Sequence, residues 1–264
     1  MSFRRSGKCC HHPHPTLLRK CCNTKLIFHL RHRYVVPDNV RNLTESAPET
    51  YLRESLDRMG IETCDIYLVH GHIHPRSIAT VAKSLADCVE KKLTHAVGVA
   101  NYSKEDMMQM KEELMKYGIP LATNQVEYNV LRRYPETSGL LETCKKEGII
   151  LQSYSSLAQG RLTGKYTADR EPPKSYRFSQ YPMKDLEGTI KVLEDIGKSR
   201  GISTSAVALN YNMSKGIAPV VGFRNPAQVE QNVQALGWRL SVEEAKRIDE
   251  VSLEGKSTIL WQQG

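Results

Sequence analysis

Apolar residues recur along this chain in two alternating rhythms, one strand-like and one helical, and each change of rhythm marks an element. Residues 48–59 place Leu52, Leu56 and Met59 on one helical face and stop at Gly60. Cys64-Asp-Ile-Tyr-Leu-Val69 reads as a short buried strand ending at His70. Ile78, Val81, Leu85 and Val89 form the stripe of a helix over 77–91. A strand over 96–100 precedes a helix over 103–117, with Ser103 as N-cap and Glu105 and Asp106 in its first turn. Strands over 122–126 and 149–153 flank a helix over 135–147, and a long polar connection follows. Helices over 185–200 and 203–214, a strand over 218–221 and a helix over 226–235 come next. The last helix, 241–252, opens on a capping box of Ser241 and Glu244.

Five short strands, each followed by helix, predict a parallel sheet wrapped by helices. No G-x-G-x-x-G follows any strand, which argues against a Rossmann domain. The Gly160-Arg-Leu-Thr-Gly164-Lys165 run imitates a P-loop, but it is one residue short and has Tyr166 where Ser or Thr belongs. Polar groups gather at the ends of the strands: His70, Asn101, Gln125 through Tyr128, Tyr154 and Ser155, and Gly222 through Arg224. In a β/α barrel that edge carries function. The junction Ala218-Pro-Val-Val-Gly-Phe-Arg-Asn-Pro226 adds an anion-binding layout. A strand runs into Gly222, Arg224 offers a fork of donors, and a helix opens its N-terminus at Pro226. A tight turn would have the same outline.

Composition and charge narrow the class. The chain has 264 residues, 40% hydrophobic and 25% charged, which suits a soluble globular fold with no apolar run long enough to span a membrane. Its net charge of +8 is localised. Arg4, Arg5, Lys8, Arg19, Lys20, Lys25, Arg31 and Arg33 lie in residues 1–37 without one acidic residue. Removing those eight from 37 basic residues leaves 29, against 29 acidic ones, so the body is neutral and nucleic acid is not an expected partner. Residues 1–47 form a basic Cys/His-rich leader, expected to be poorly ordered. Neither a secretory signal nor a C-x2-C or H-x3-H zinc spacing occurs there, although a mitochondrial presequence or a metal site built from its Cys and His residues stays open. Seven irregularly spaced cysteines indicate reduced thiols and an intracellular, cytoplasmic protein.

The strand-end residues carry a family likeness. Asp65-Ile-Tyr-Leu-Val-His70, Val97-Gly-Val-Ala-Asn-Tyr102, Asn124-Gln-Val-Glu-Tyr-Asn129, Gln152-Ser-Tyr-Ser-Ser-Leu-Ala-Gln-Gly160 with Leu162-Thr-Gly-Lys165, and Val221-Gly-Phe-Arg-Asn-Pro-Ala-Gln228 resemble the aldo-keto reductases in order and spacing. The segment Ala235-Leu-Gly-Trp-Arg-Leu-Ser241 is similar to the fungal and plant branch. The likeness covers roughly residues 48–254. It implies a (β/α)8 TIM-barrel lineage, here N-terminally truncated to about five or six strand–helix units, with a partial barrel over 48–264. It also implies NADP(H) as cofactor and a small-molecule carbonyl substrate. Asn101 and Gln125 would hold the carboxamide, and Tyr154 would stack on the nicotinamide. Ser155, Leu157, Gln159, Gly160, Leu162 and Lys165 would follow the pyrophosphate. Gly222, Phe223, Arg224, Gln228, Gln231 and Asn232 would surround the adenosine 2′-phosphate. Ala100 stands where the family often has Ser.

His70 resembles the family's carbonyl-polarising histidine, although His70-x-His72-x-His74 also has the outline of a metal triplet on one strand face. The family's Tyr, Lys and Asp belong to three earlier strand–helix units, and nothing before residue 48 matches them by motif. The segment 26–36 offers at most one further strand. Two readings follow: a carbonyl reductase impaired by loss of its general acid, or a non-catalytic nucleotide- or partner-binding remnant of the same fold. The connection 167–185 is expected to overhang the mouth and to favour a medium-sized apolar or aromatic carbonyl compound.

Overall fold

The computed structural model describes residues 33–34, 47–74, 76–173 and 181–257. The leader's Cys and His residues and the proposed presequence and zinc readings lie outside these, as does the centre of the 167–185 connection. Strand β1 (Arg33–Tyr34) falls within the segment 26–36. It is followed by α1 (Ala47–Met59), β2 (Cys64–Val69), α2 (Ile78–Glu90), β3 (Thr94–Ala100), α3 (Lys104–Met115) and β4 (Leu121–Glu127). Helices α4 (Tyr134–Thr137) and α5 (Leu140–Glu147) lead to β5 (Ile150–Tyr154) and a 3-10 turn over Ala158–Thr163. A second 3-10 turn (Met183–Leu186) opens α6 (Glu187–Arg200), then come α7 (Thr204–Ser214), β6 (Ala218–Pro219), α8 (Pro226–Val233) and α9 (Val242–Glu250).

The strands form one parallel sheet in chain order, β1 to β6, so each crossover returns the chain beside the strand it left. All the strands therefore end on one edge. Local sequence sets the helix boundaries. Ser77, Ser103, Ser203, Asn225 and Ser241 are N-caps whose side chains accept a backbone N–H one turn on, and Ser241 and Glu244 close the full capping box. Of the predicted stripes, Leu52 and Leu56 on α1 and Val81 and Leu85 on α2 are buried, and α3 buries Met107, Met110 and Leu114.

Three expectations are corrected. The helix expected over 135–147 is two helices, because Gly139 takes φ +81°, a left-handed conformation that ends one helix and starts the next. The strand over 218–221 shortens to Ala218–Pro219; Pro219 has no N–H to give, and Val220 N makes a last bond to Ser153 O at 2.8 Å. The strand interiors are also not purely apolar. All seven residues of β4 are buried, among them Thr123, Asn124, Gln125 and Glu127.

A charged cluster fastens the C-terminal helix to the sheet. Arg133 Nε lies 2.9 Å from Glu136 and its Nη1 3.2 Å from Asp249, while Lys215 Nζ reaches Glu136 at 3.0 Å and Asp249 at 2.9 Å. Tyr128 and Tyr211 donate their hydroxyls to Glu136 and Asp249 at 2.9 and 2.6 Å. Burial raises the Glu136 pKa, but the bonds from Arg133, Lys215 and Tyr128 outweigh it and lower the value from 4.5 to about 2. A depressed carboxylate stabilises the fold fully above the unfolded value and loses that contribution as the pH falls through the folded one. Stability should therefore decline between about pH 4.5 and pH 2, by on the order of 3 kcal/mol from this group. Urea unfolding of the protein and of Glu136→Gln across that range checks it. The variant should be less stable at neutral pH and show a flatter acid dependence; an identical dependence would show that other carboxylates are responsible.

Candidate functional site

The C-terminal edge of the sheet concentrates backbone strain. Asn101 after β3 (φ +61°), and Ser155, Ala158 and Gln159 after β5 (φ +50°, +47° and +56°), are four of the five non-glycine residues with positive φ among those described. Such conformations persist where surrounding contacts hold them, and they cluster at functional sites. The contacts here are specific. Asn101 N donates to Gln125 O at 2.9 Å, Asn101 Nδ2 to His70 O at 3.3 Å, and Tyr154 Oη to Asn101 Oδ1 at 2.8 Å. One side chain thus joins the ends of β2, β3 and β5. Asn129 adds a fourth tie, from the loop after β4 to Ser155 O at 3.0 Å.

Between them lies Gln125. It pairs across the sheet with Gln152, its Nε2 donating to Gln152 Oε1 at 2.7 Å. Its own side-chain Oε1 is buried and meets no hydrogen-bond partner. An unsatisfied buried amide oxygen costs about 1–3 kcal/mol, and the cost is removed by a ligand that brings an N–H. Asn101 keeps one amide hydrogen beyond the bond to His70.

The histidines separate into different roles. His74 Nδ1 lies 2.5 Å from Arg76 O and its Nε2 2.9 Å from Tyr102 Oη. A carbonyl only accepts, so Nδ1 carries the proton and Tyr102 donates to Nε2. Burial, the larger influence, pushes the His74 imidazole pKa down, in keeping with that neutral form. With both nitrogens committed His74 cannot ligate, and the chain leaves strand geometry at His70, so the period-two face needed for a triplet is lost. No group of three or more His, Cys, Asp or Glu side chains that could hold a metal occurs among the described residues. His70 is half-buried at the end of β2. The first tyrosine on either side of it in sequence is engaged elsewhere, Tyr67 Oη on Pro48 O at 3.0 Å and Tyr102 on His74.

The other sequence-derived positions lie along the same edge, with differences. Leu157 packs on the core and Leu162 is wholly buried beneath the turn that carries Gln159 and Gly160. Lys165 is exposed and stands over the Tyr166 ring at 5.2 Å. At the β6–α8 junction a Cβ added to Gly222 would meet nothing, Phe223 is 49% exposed, and Arg224 has no carboxylate within 4 Å among the described residues. Gln228 turns its Oε1 back to Arg224 N at 2.7 Å, so it braces the loop. Gln231 is exposed. Asn232 is 5% exposed, and its side chain has no hydrogen-bond partner among the described residues.

Sequence reasoning missed Arg132, and met Glu127 only within the run Gln125 through Tyr128 and Arg161 only within the run Gly160 to Lys165. All three are buried, and Arg132 Nε lies 3.8 Å from Glu127. The available signal was a charged residue inside the motif Asn124-Gln-Val-Glu127, where a strand buried on both faces tolerates charge only with a partner.

The sequence profile of the aldo/keto reductase family matches residues 18–253, starting upstream of the motif-bearing region. The chain belongs to the aldo/keto reductase family. Among its relatives, the chloroplastic pyridoxal reductase of Arabidopsis thaliana is 33% identical over 213 residues, 79% of this chain and 58% of that one. The L-glyceraldehyde 3-phosphate reductase of Escherichia coli (strain K12) is 31% identical, over 80% of this chain and 64% of its own length. The NADH-specific methylglyoxal reductase of the same organism is 30% identical, with shares of 80% and 66%. The chain thus spans about three-fifths of the curated relatives it matches. The solved glycerol dehydrogenase of Gluconobacter oxydans superposes with a TM-score of 0.71 at 25% identity, over 84% of this chain and 69% of that one. The parallel sheet with its helices is the aldo/keto reductase barrel architecture in part. No helix among the described residues is long and apolar enough to cross a membrane.

Proposed function

We propose that this aldo/keto reductase is an NADP(H)-dependent carbonyl reductase, turning an aldehyde or ketone into an alcohol. The observation that carries the proposal is the buried, unpartnered Gln125 Oε1, set beside the strained Asn101 and the half-buried Tyr154. A nicotinamide carboxamide has the complementary pattern: Gln125 Oε1 would accept from its NH2 and the remaining Asn101 N–H would donate to its oxygen. The residues present fit the cofactor. Tyr154, held by its hydroxyl, would offer a ring face to the nicotinamide, and the turn from Ser155 through Gly160 with Lys165 would follow the pyrophosphate. Open space at Gly222, the carboxylate-free Arg224 and the unpartnered Asn232 would take the adenosine 2′-phosphate. When bound, the cofactor supplies the hydride.

The chain's own residues do the rest. Asn101 and Gln125 orient the transferred group toward one face, and His70 donates a hydrogen bond to the carbonyl oxygen as negative charge grows there. With the Tyr67 and Tyr102 hydroxyls engaged, proton delivery among the described residues is assigned to His70 or water. The same engagement favours a second reading, a nucleotide-binding member of the family without significant catalysis.

One relative carries NADH specificity in its name, so the preference for NADP(H) rests on this chain's Arg224. A guanidinium–phosphate contact contributes about 1.5–3 kcal/mol, roughly ten- to hundredfold in affinity. Equilibrium titrations should show Arg224→Ala weakening NADPH by that factor and leaving NADH nearly unchanged. Equal losses for both would remove Arg224 from the 2′-phosphate.

A further inference from the structure

Four residues beyond His70, in the loop that joins β2 to α2, His74 is tied at both ring nitrogens although the proposed chemistry does not use it. Burial does little to hold this loop. Ile73 is 44% exposed, Arg76 is exposed, and a Cβ added at Gly71 would meet nothing within 4 Å. Side-chain ties from the end of β3 do more. Asn101 Nδ2 donates to His70 O at 3.3 Å, and the next residue, Tyr102, donates its hydroxyl to His74 Nε2 at 2.9 Å. Consecutive residues thus grip the loop at its start and again one turn of chain later.

The second tie has one stable form. Tyr102 is wholly buried, its ring centroid 6.3 Å from that of His74, and burial raises its hydroxyl pKa, so it keeps its proton and donates. The His74 ring is oriented by its own Nδ1–H on Arg76 O, which leaves Nε2 as the acceptor. Tyr102 is itself fastened to the sheet: its carbonyl oxygen accepts from Asn124 Nδ2 at 3.0 Å, one residue before Gln125. A path from β4 through Tyr102 to His74 therefore runs beside the one from Asn101 to His70 O.

We propose that His74 is a positioning residue. The Tyr102 hydroxyl, received at His74 Nε2, holds the loop in the shape that sets the His70 imidazole against the carbonyl oxygen, while Asn101 fixes the start of the same loop and orients the nicotinamide. A shift of about 1 Å at a reacting group costs roughly a hundredfold in rate, and a loop that has lost one of these ties is free to make it. The effect on rate rests on the carbonyl reductase reading; the tie between Tyr102 and the loop does not.

Three substitutions in the full chain separate this role from plain packing. Tyr102→Phe removes one oxygen. His74→Asn keeps an amide N–H near Arg76 O and offers nothing to Tyr102, whereas His74→Gln carries an amide oxygen out to the reach of Nε2. With an electron-poor aldehyde and saturating NADPH, Tyr102→Phe and His74→Asn should each lower kcat by about ten- to hundredfold and leave KM and NADPH affinity within about twofold. The double variant should lose no more than either single one, because both remove the same bond. His74→Gln should recover most of the rate, which a general weakening of the fold would not allow. Equal rates in His74→Asn and His74→Gln, or losses that add in the double variant, overturn the proposal. A second readout needs no turnover: the His70 imidazole NMR signals, assigned by their absence in His70→Ala, should shift in Tyr102→Phe and His74→Asn and return in His74→Gln. If they do so while the unaltered chain reduces no aldehyde, the tie stands and the reductase reading falls. If they move in neither variant, the positioning role falls whatever the turnover.

Discussion

Replacing His70 by alanine is expected to lower kcat/KM for NADPH-dependent reduction of an electron-poor aldehyde by about 10²–10³, the usual effect of removing one donor from a developing oxyanion. The carbonyl oxygen gains charge as hydride arrives, and a donor aligned before the reaction stabilises that charge without reorganisation. Tyr67 and Tyr102 do not substitute, because Pro48 O and His74 already hold their hydroxyls. An activated aldehyde keeps the unaltered rate measurable. His70→Gln, which retains an N–H donor, should recover part of the loss, and NADPH affinity should not move in either variant. A rate in His70→Ala equal to that of the unaltered chain would take His70 out of the chemistry.

Gly98→Ala is expected to destabilise the fold by about 3 kcal/mol in urea unfolding, the upper part of the range for overpacked interiors. Gly98 sits in β3 at the register shift between β3 and β4. A Cβ there would come within 2.5 Å of Leu68 Cδ2 and of Thr123 Cγ2, and within 2.7 Å of Thr123 O. Leucine can turn aside, but a strand carbonyl cannot without breaking the sheet. The methyl therefore separates β3 from β4, and with them Asn101 from Gln125, so NADPH binding should weaken as well. A loss below about 0.5 kcal/mol would mean that the strands part at little cost, contrary to the tight packing of interiors.

What the sequence revealed and what it hid have separate physical causes. The helical stripes through Leu52 and Leu56, or Val81 and Leu85, are written in spacing alone, and caps such as Ser103 and Ser241 involve residues three apart. The strand ends were legible because polar groups interrupt apolar runs at His70, Asn101 and Tyr154. Their arrangement was not: the bond from Tyr154 to Asn101 joins positions 53 residues apart, and those from Arg132 to the C-terminal segment span 124 and 125. Nor does composition say which polar groups are left over. Gln228 was expected on a nucleotide and accepts from Arg224 N in its own loop, whereas the buried Arg132, which no motif marked, is tied to Glu127 and the C-terminal segment. The break at Gly139 escaped because the apolar pattern continues across it.

The central claim is that the strand-end residues form a nicotinamide cofactor site with a 2′-phosphate pocket at Arg224. Equilibrium titration of the unaltered chain with NADPH and with NADH, followed by nicotinamide fluorescence, tests it most directly. Saturable binding of both, with NADPH tighter by roughly ten- to hundredfold, is the predicted result. No saturable binding of either, or equal affinity for the two, would contradict it.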